Sequence, residues 1–294
     1  AKSASTRGWA VKNLGGTAHT DYDYMRVHDV YDLQNINAKR DGRYILAGDI
    51  DATATTHWNS GAGFAPLGDV GNKFTGRLDG AGHTLRGLYI NRQNTYSIGL
   101  FGYADGARIE NLSLVDGYVE GDEAVGGIVG YVFNNSTVQN VRNAGKVLGN
   151  RQLGGIAGSV EWSSVRNAVQ TGTVEQRAGQ GDPTVGGVVG LLHDDTVSHA
   201  VWKEGSVKDG NGDLIRKGVG KEQGNTTVRD VEKRTEAQMK LAETYKEWKD
   251  GNEAVVATEG GKRTPWRIYD GKTMPLLTAF LRTKHLANRE QVYD

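Results

Sequence analysis

From residue 97 onward the apolar positions fall into short runs closed by glycine, and the runs repeat. Four six-residue segments ending at Gly102, Gly130, Gly158 and Gly190 align, so the closing glycines stand 28, 28 and 32 residues apart. A degenerate fifth copy ends at Gly220. A second run, apolar–polar–polar–apolar, recurs at 109–112, 138–141, 165–168, 197–200 and 228–231. A third, opened by glycine, recurs at 117–119, 145–147, 172–174 and 205–207. None of these runs carries the 3.6-residue period that a helix needs. Three short strands per unit, stacked at about 4.8 Å on the next unit, make the coils of a parallel β-helix. The pattern therefore predicts an all-β solenoid.

Looser strand-like runs at 44–51, 74–80 and 83–90 extend the repeat backwards. Residues 27–39 read as a short helix, with Asp29 or Asp32 near its start and Tyr31, Leu33 and Ile36 apolar. Residues 235–248 have the charge alternation and apolar spacing of an amphipathic helix, and 265–277 read as strands about a turn at Asp270-Gly271. A solenoid end exposes core and unpaired backbone, so covers at both ends are expected. The division that follows is 1–42 as lead-in and N-terminal cap, 43–232 as the β-helix, and 233–294 as a helix-plus-strand C-terminal cap.

Position within the repeat gives some residues meaning. The closing glycines supply positive φ at corners or leave room for a neighbouring wall. Asn111, Asn140 and Asn167 share one place in successive coils and are expected to form an internal amide ladder, in which His199 and Asp230 occupy the later rungs. Asn134, Asn135 and Asn225 open Asn-Xaa-Ser/Thr sequons in turn-like stretches and are candidate exposed glycosylation acceptors; Asn111 opens another but should face inward.

Composition agrees with a cornered, small-residue fold. Glycine reaches 42 of 294 residues while hydrophobic residues are 37%, which is about twice ordinary glycine usage. Lys+Arg and Asp+Glu are both 35, so neither nucleic acid nor an anionic membrane is the expected partner. Cysteine is absent, leaving repeated packing to supply what disulfides give many extracellular domains. No run approaches the roughly 18 apolar residues that would cross a bilayer, so membrane insertion is not expected.

Candidate chemistry is sparse. Asp49 with Asp51, and His193-Asp194-Asp195, bring acids together, but their repeat equivalents Asn134-Asn135 and Trp162-Ser163 supply no converging carboxylates; solvated turns are the expectation. Asp209 to Asp213 begins like a calcium loop, yet the places that should hold Gly and Glu hold Leu214 and Gly220. No metal, cofactor or catalytic residue is expected. The aromatic residues Tyr103, Tyr131, Trp162, Trp202 and Tyr118 lie near corners and are the candidate receptor contacts, able to stack on sugar rings, although core or corner packing is the commoner use of such residues.

The residues from Arg43 to Gly190 resemble the GLUG-repeat region of bacterial surface proteins. The carriers are Tyr44-Ile45-Leu46-Ala47-Gly48-Asp49-Ile50-Asp51, Trp58-Asn59, Phe74-Thr75-Gly76-Arg77-Leu78-Asp79-Gly80 and Ile98-Gly99-Leu100-Phe101-Gly102. With Gln238-Met239-Lys240 and the stretch from Trp266 to Leu277, the chain is similar to filamentous-haemagglutinin-type, high-molecular-weight-like adhesins. The resemblance implies a right-handed β-helix and a monomeric, secreted cell-surface passenger fragment. It also implies export through an outer-membrane two-partner transporter and a host glycan or receptor protein as partner. A structural spacer is the alternative, and a β-helix polysaccharide lyase or hydrolase a more distant one. GLUG repeats also accompany immunoglobulin A proteases, whose His-Glu-Xaa-Xaa-His zinc motif is absent from this sequence.

Overall fold

The computed structural model describes residues 24–179, 184–250, 253–259 and 264–278, with the backbone of Arg282–Leu286 and Arg289–Tyr293. Residues 1–23 of the predicted lead-in lie outside them. From Met25–Val27 to Thr227–Arg234 the paired strands run parallel, each in register with its equivalent one repeat away. Three walls result. The first stacks Arg43–Leu46, Arg77–Asp79, Arg108–Glu120, Thr137–Gly149, Ser164–Gln170, Thr196–Lys203 and Thr227–Arg234. The second stacks Phe101–Asp105, Val129–Phe133, Ala157–Glu161, Val189–His193 and Val219–Gln223. The third stacks Glu123–Gly126, Arg151–Gly154 and Val185–Gly186. The fold is a β-solenoid of about five turns, as the repeat predicts.

The interior is built by like residues meeting like. Ile109, Val138, Val165 and Val197 form one inward column of the first wall, and Phe101, Val129, Ala157 and Val189 one of the second; all are fully buried. Each such Val, Ile or Phe side chain contributes about 1.5–3 kcal/mol of burial. The closing glycines serve space rather than backbone freedom. A Cβ at Gly130, Gly158 or Gly190 would stand 2.2–2.3 Å from the backbone of residue 97, 124 or 152 in the third-wall arm. Only glycine lets the two walls come that close.

The helix expected at 27–39 forms over Val30–Asn35, continued by a 3-10 turn at Ile36–Ala38. Asp29 caps it, its carboxylate accepting from the Tyr31 and Asp32 N–H groups at 3.0 and 2.9 Å. Val30, Leu33 and Ile36 enter the coil interior, whereas Tyr31 points out and packs on Trp58.

The C-terminal segment departs from expectation in two ways. Its helix is a single turn, Glu236–Met239, opened by a Thr235/Gln238 capping box and followed by a 3-10 turn at Ala242–Tyr245. Its apolar residues do not sit over the last coil. Met239, Tyr245, Trp248, Val255, Trp266, Ile268 and Leu277 form a second core with Val169 and Val201, which face outward from the first wall beside inward Ala168 and Ala200. The segment is a strap on the flank of the solenoid. Its placement follows from those two apolar side chains, which stand where neighbouring coils carry Arg142 and Glu232.

Candidate functional site: an aromatic face on the second wall

Alternation along the second wall sends every other residue outward. One outward column reads Tyr103, Tyr131, Ser159, Leu191, Lys221, and the next Asp105, Phe133, Glu161, His193, Gln223. The residue after each second-wall strand turns the corner in the left-handed region: Gly106, Asn134, Trp162, Asp194 and Gly224, with φ between 48 and 70°. Gly, Asn and Asp suit that conformation. Trp162 does not, since a bulky side chain there costs about 1–2 kcal/mol. Its indole is 51% exposed, so burial does not offset the cost.

The rings form a continuous row. Tyr103 and Tyr131 stack at 4.8 Å and 10°; Phe133 lies 6.3 Å from Tyr131 and 5.4 Å from Trp162, and Trp162 lies 6.5 Å from His193. Lys73 reaches over the Tyr103 and Phe133 rings at 5.2 and 5.6 Å and pairs with Asp105 at 3.0 Å. Hydrogen bonds from Asn134, and then Lys73, hold the Asp105 carboxyl below its usual range. Tyr131 donates its hydroxyl to Glu161, which also meets His193 Nδ1 at 3.2 Å. Burial first, and that carboxylate second, push the Tyr131 phenol well up. The arrangement offers ring surface bordered by fixed hydrogen-bond acceptors.

Beneath it runs a corner ladder. Ala107 N–H donates to Ser136 Oγ at 3.0 Å, Ser136 N–H to Ser163 Oγ at 3.1 Å, and Ser163 N–H to the Asp195 carboxylate. Asp195 is half-buried, and desolvation raises its carboxyl to about 6 despite those donors.

Tyr103, Tyr131 and Trp162 thus come together. Trp202 does not: it is 1% exposed and packs inside the coil against Gly187, where a Cβ would meet its ring at 2.3 Å. Its column also holds Leu114, Asn143 and Gln170, and the polar members disguise an inward position. Asn143 settles there by donating to Gly155 O at 2.8 Å. Tyr118 lies on another flank, stacked on Tyr89 at 5.3 Å with its hydroxyl donated to Glu120 at 2.6 Å. It locks neighbouring coils. Phe133, which sequence reading passed over, and His193, which it took for part of a solvated acidic turn, belong to the face; the two-residue alternation from Tyr131 was the available signal. Lys73 arrives from a loop before the regular coils and had none.

The amide ladder forms in register. Asn140 donates to Asn111 and Asn167 to Asn140, both at 3.1 Å, and Asn111 donates to Asp79 at 3.0 Å. His199 and Asp230 continue the column, 3.3 Å apart. All five repeat residues have φ between 51 and 56°. Asn134, Asn135 and Asn225 are exposed. Asp49 caps His83 and Thr84, Asp51 caps Thr53, and Asp209 accepts from the Asn211 and Asp213 N–H groups; these acids are turn-formers.

Residues 121–148, the span of one coil, match the model of the GLUG motif. One coil of the β-helix thus carries the GLUG motif. Halomucin of Haloquadratum walsbyi is 39% identical over 162 residues, 53% of this chain. An immunoglobulin A1 protease of Streptococcus sanguinis is 26% identical over 161 residues, 54% of this chain. These matches span 2% and 8% of the two relatives' own lengths. A Bacteroides ovatus structure of a candidate immunoglobulin A1 protease overlays 72% of this chain and 84% of its own, at a TM-score of 0.43 and 13% identity. A likeness that distant carries no functional implication. Within the GLUG-repeat match lie Tyr131, Phe133, Asn134 and Asn140, so one coil of the motif supplies both ring surface and ladder. Among the described residues no helix is long and apolar enough to cross a membrane.

Proposed function

We propose that this GLUG-repeat chain is a non-enzymatic recognition module of a secreted bacterial surface protein, binding a glycan or protein receptor through the second-wall face. The observation that carries the reading is the half-exposed Trp162, held in an unfavourable backbone conformation within a row of rings. Large aromatics of this kind dominate recognition surfaces because they bring contact area at little entropic cost. The acids of the chain that sequence singled out are engaged in turns, which supports a binding rather than a hydrolytic role. Asn134, Asn135 and Asn225 stay acceptor candidates in this reading, and passage through a two-partner transporter stays its export route.

The spacer reading draws on the first wall, where Arg77 pairs with Glu110 at 2.8 Å, Gln139 donates to Glu110 at 2.7 Å and Arg166 to Gln139 at 2.7 Å. Such a row satisfies itself and offers a partner little. The two readings separate on a glycan array and a host-cell binding assay with the whole chain. Binding that is lost in Tyr131→Ala supports recognition; a chain that binds neither array nor cells is a spacer.

A further inference from the structure

We propose that the second-wall face selects a neutral glycan, gripped at Trp162, and turns acidic glycans away. The proposal deepens the recognition reading and rests on it.

The first ground is the corner column. Four of its five members, Gly106, Asn134, Asp194 and Gly224, are types that accept a left-handed backbone, and Trp162 is the exception. Packing does not explain the exception, since half the indole faces solvent. An Asn at 162 would make the same turn more easily, as Asn134 does one coil away. What the Trp adds is an exposed ring face, and backbone strain of this kind clusters at ligand-contact sites.

The second ground is the shape of the row. From Tyr103 to His193 it crosses four coils, roughly 14 Å at about 4.8 Å per coil, the length of a short oligosaccharide. The negative faces of aromatic rings attract the electropositive C–H edges of a pyranose. Around the rings stand acceptors for sugar hydroxyls: Asp105, Glu161 and Asp194, with the exposed amide of Asn134 able to donate as well.

The third ground is charge. Asp105, Glu161, Asp194 and Asp195 belong to this face or its corner. Of the lysines at its margins, Lys73 is already paired with Asp105, and Lys221 lies on the fifth coil beyond Leu191. Among the described residues the basic ring beside Trp162, His193, already faces Glu161 and Asp194 at 3.2 and 3.4 Å; a carboxylated or sulfated sugar would therefore meet mainly like charge, and like-charge contact is a strong exclusion device. A neutral sugar meets only acceptors and rings.

The test compares the wild-type chain with Trp162→Asn by titration against N-acetyllactosamine and chitotetraose, sialyl-N-acetyllactosamine and heparin, with thermal unfolding of both proteins alongside. The expected result is wild-type binding to a neutral probe at least ~10-fold tighter than to either acidic one. Trp162→Asn should lose ~10-fold or more of that affinity while its Tm stays equal or rises. Tighter binding of the acidic probes overturns the neutral class, and a lowered Tm in Trp162→Asn overturns the argument that the indole is there for contact. If affinity survives Trp162→Asn but is lost in Tyr131→Ala, the face stands and the grip at Trp162 falls. If the wild-type chain binds none of the four probes, the proposal falls; whether recognition itself falls with it is read from the array and cell assay.

Discussion

Asn140 does three things at once: it holds a left-handed backbone, donates its amide to Asn111 and receives that of Asn167. Removing them separately gives an ordered prediction. Asn140→Gly keeps the backbone and loses the amide contacts, and should cost about 1–3 kcal/mol in denaturant unfolding. Asn140→Ala loses both and should cost about 1 kcal/mol more. Asp195 tests the same corner logic through pH. Its carboxyl titrates higher in the fold than in the unfolded chain, so the fold is favoured while Asp195 is protonated. That contribution is complete below the unfolded value of 3.8 and is lost as pH rises through about 6. Asp195→Asn should accordingly raise Tm more near pH 7.5 than near pH 4.5; an equal change at both would refute the assignment. Such column positions were legible because the repeat aligns them. Trp202 was not, because its column mixes Leu, Asn, Gln and Trp, and inward polar residues satisfied by coil backbone look outward in a bare sequence.

Among elements, the second and third walls depend on close approach. Gly158→Ala places a methyl 2.2 Å from the Ala124 backbone carbon and should cost about 1–3 kcal/mol or more, while Gly48→Ala, with nothing within 4 Å, should change stability little. Paired thermal melts decide it. The strap is the other separable element. Trp248 is buried against Tyr245 and Trp266, at 5.0 and 6.4 Å, and truncating it should cost about 3–5 kcal/mol locally. Trp248→Ala is expected to release the strap in an early transition and leave the coils folded, seen as new hydrogen exchange confined to its described residues. The apolar content of this segment was readable, but its docking place was not. The signal was Val169 and Val201, which stand beside inward alanines and read as interior until the register places them outside.

For the whole molecule, stability should approximate a sum over coils and their interfaces. Deleting residues 131–158, which joins Gly130 to Ser159 in the register of Tyr131 and Ser159, removes one complete repeat. The shortened chain should fold, keep its β-type circular dichroism and unfold with a smaller denaturant dependence. Failure to fold would mean that coils are not interchangeable units. Fold class was open to reading at this scale because period and glycine placement are properties of the string alone. The aromatic face was only half open, because a ring's exposure depends on which neighbours arrive from loops such as the one carrying Lys73.

The strap has a mechanical meaning. Lying across the first wall over Val169 and Val201, which stand side by side on adjacent coils, it fastens successive layers from the side. A load applied between the two ends of the chain must strip this clasp before it can unwind the layers one at a time. Pulling single molecules should show one initial rupture that disappears in Trp248→Ala, followed by a train of smaller, evenly spaced extensions. The first event would then act as a fuse that dissipates a tug before the coils themselves are disturbed.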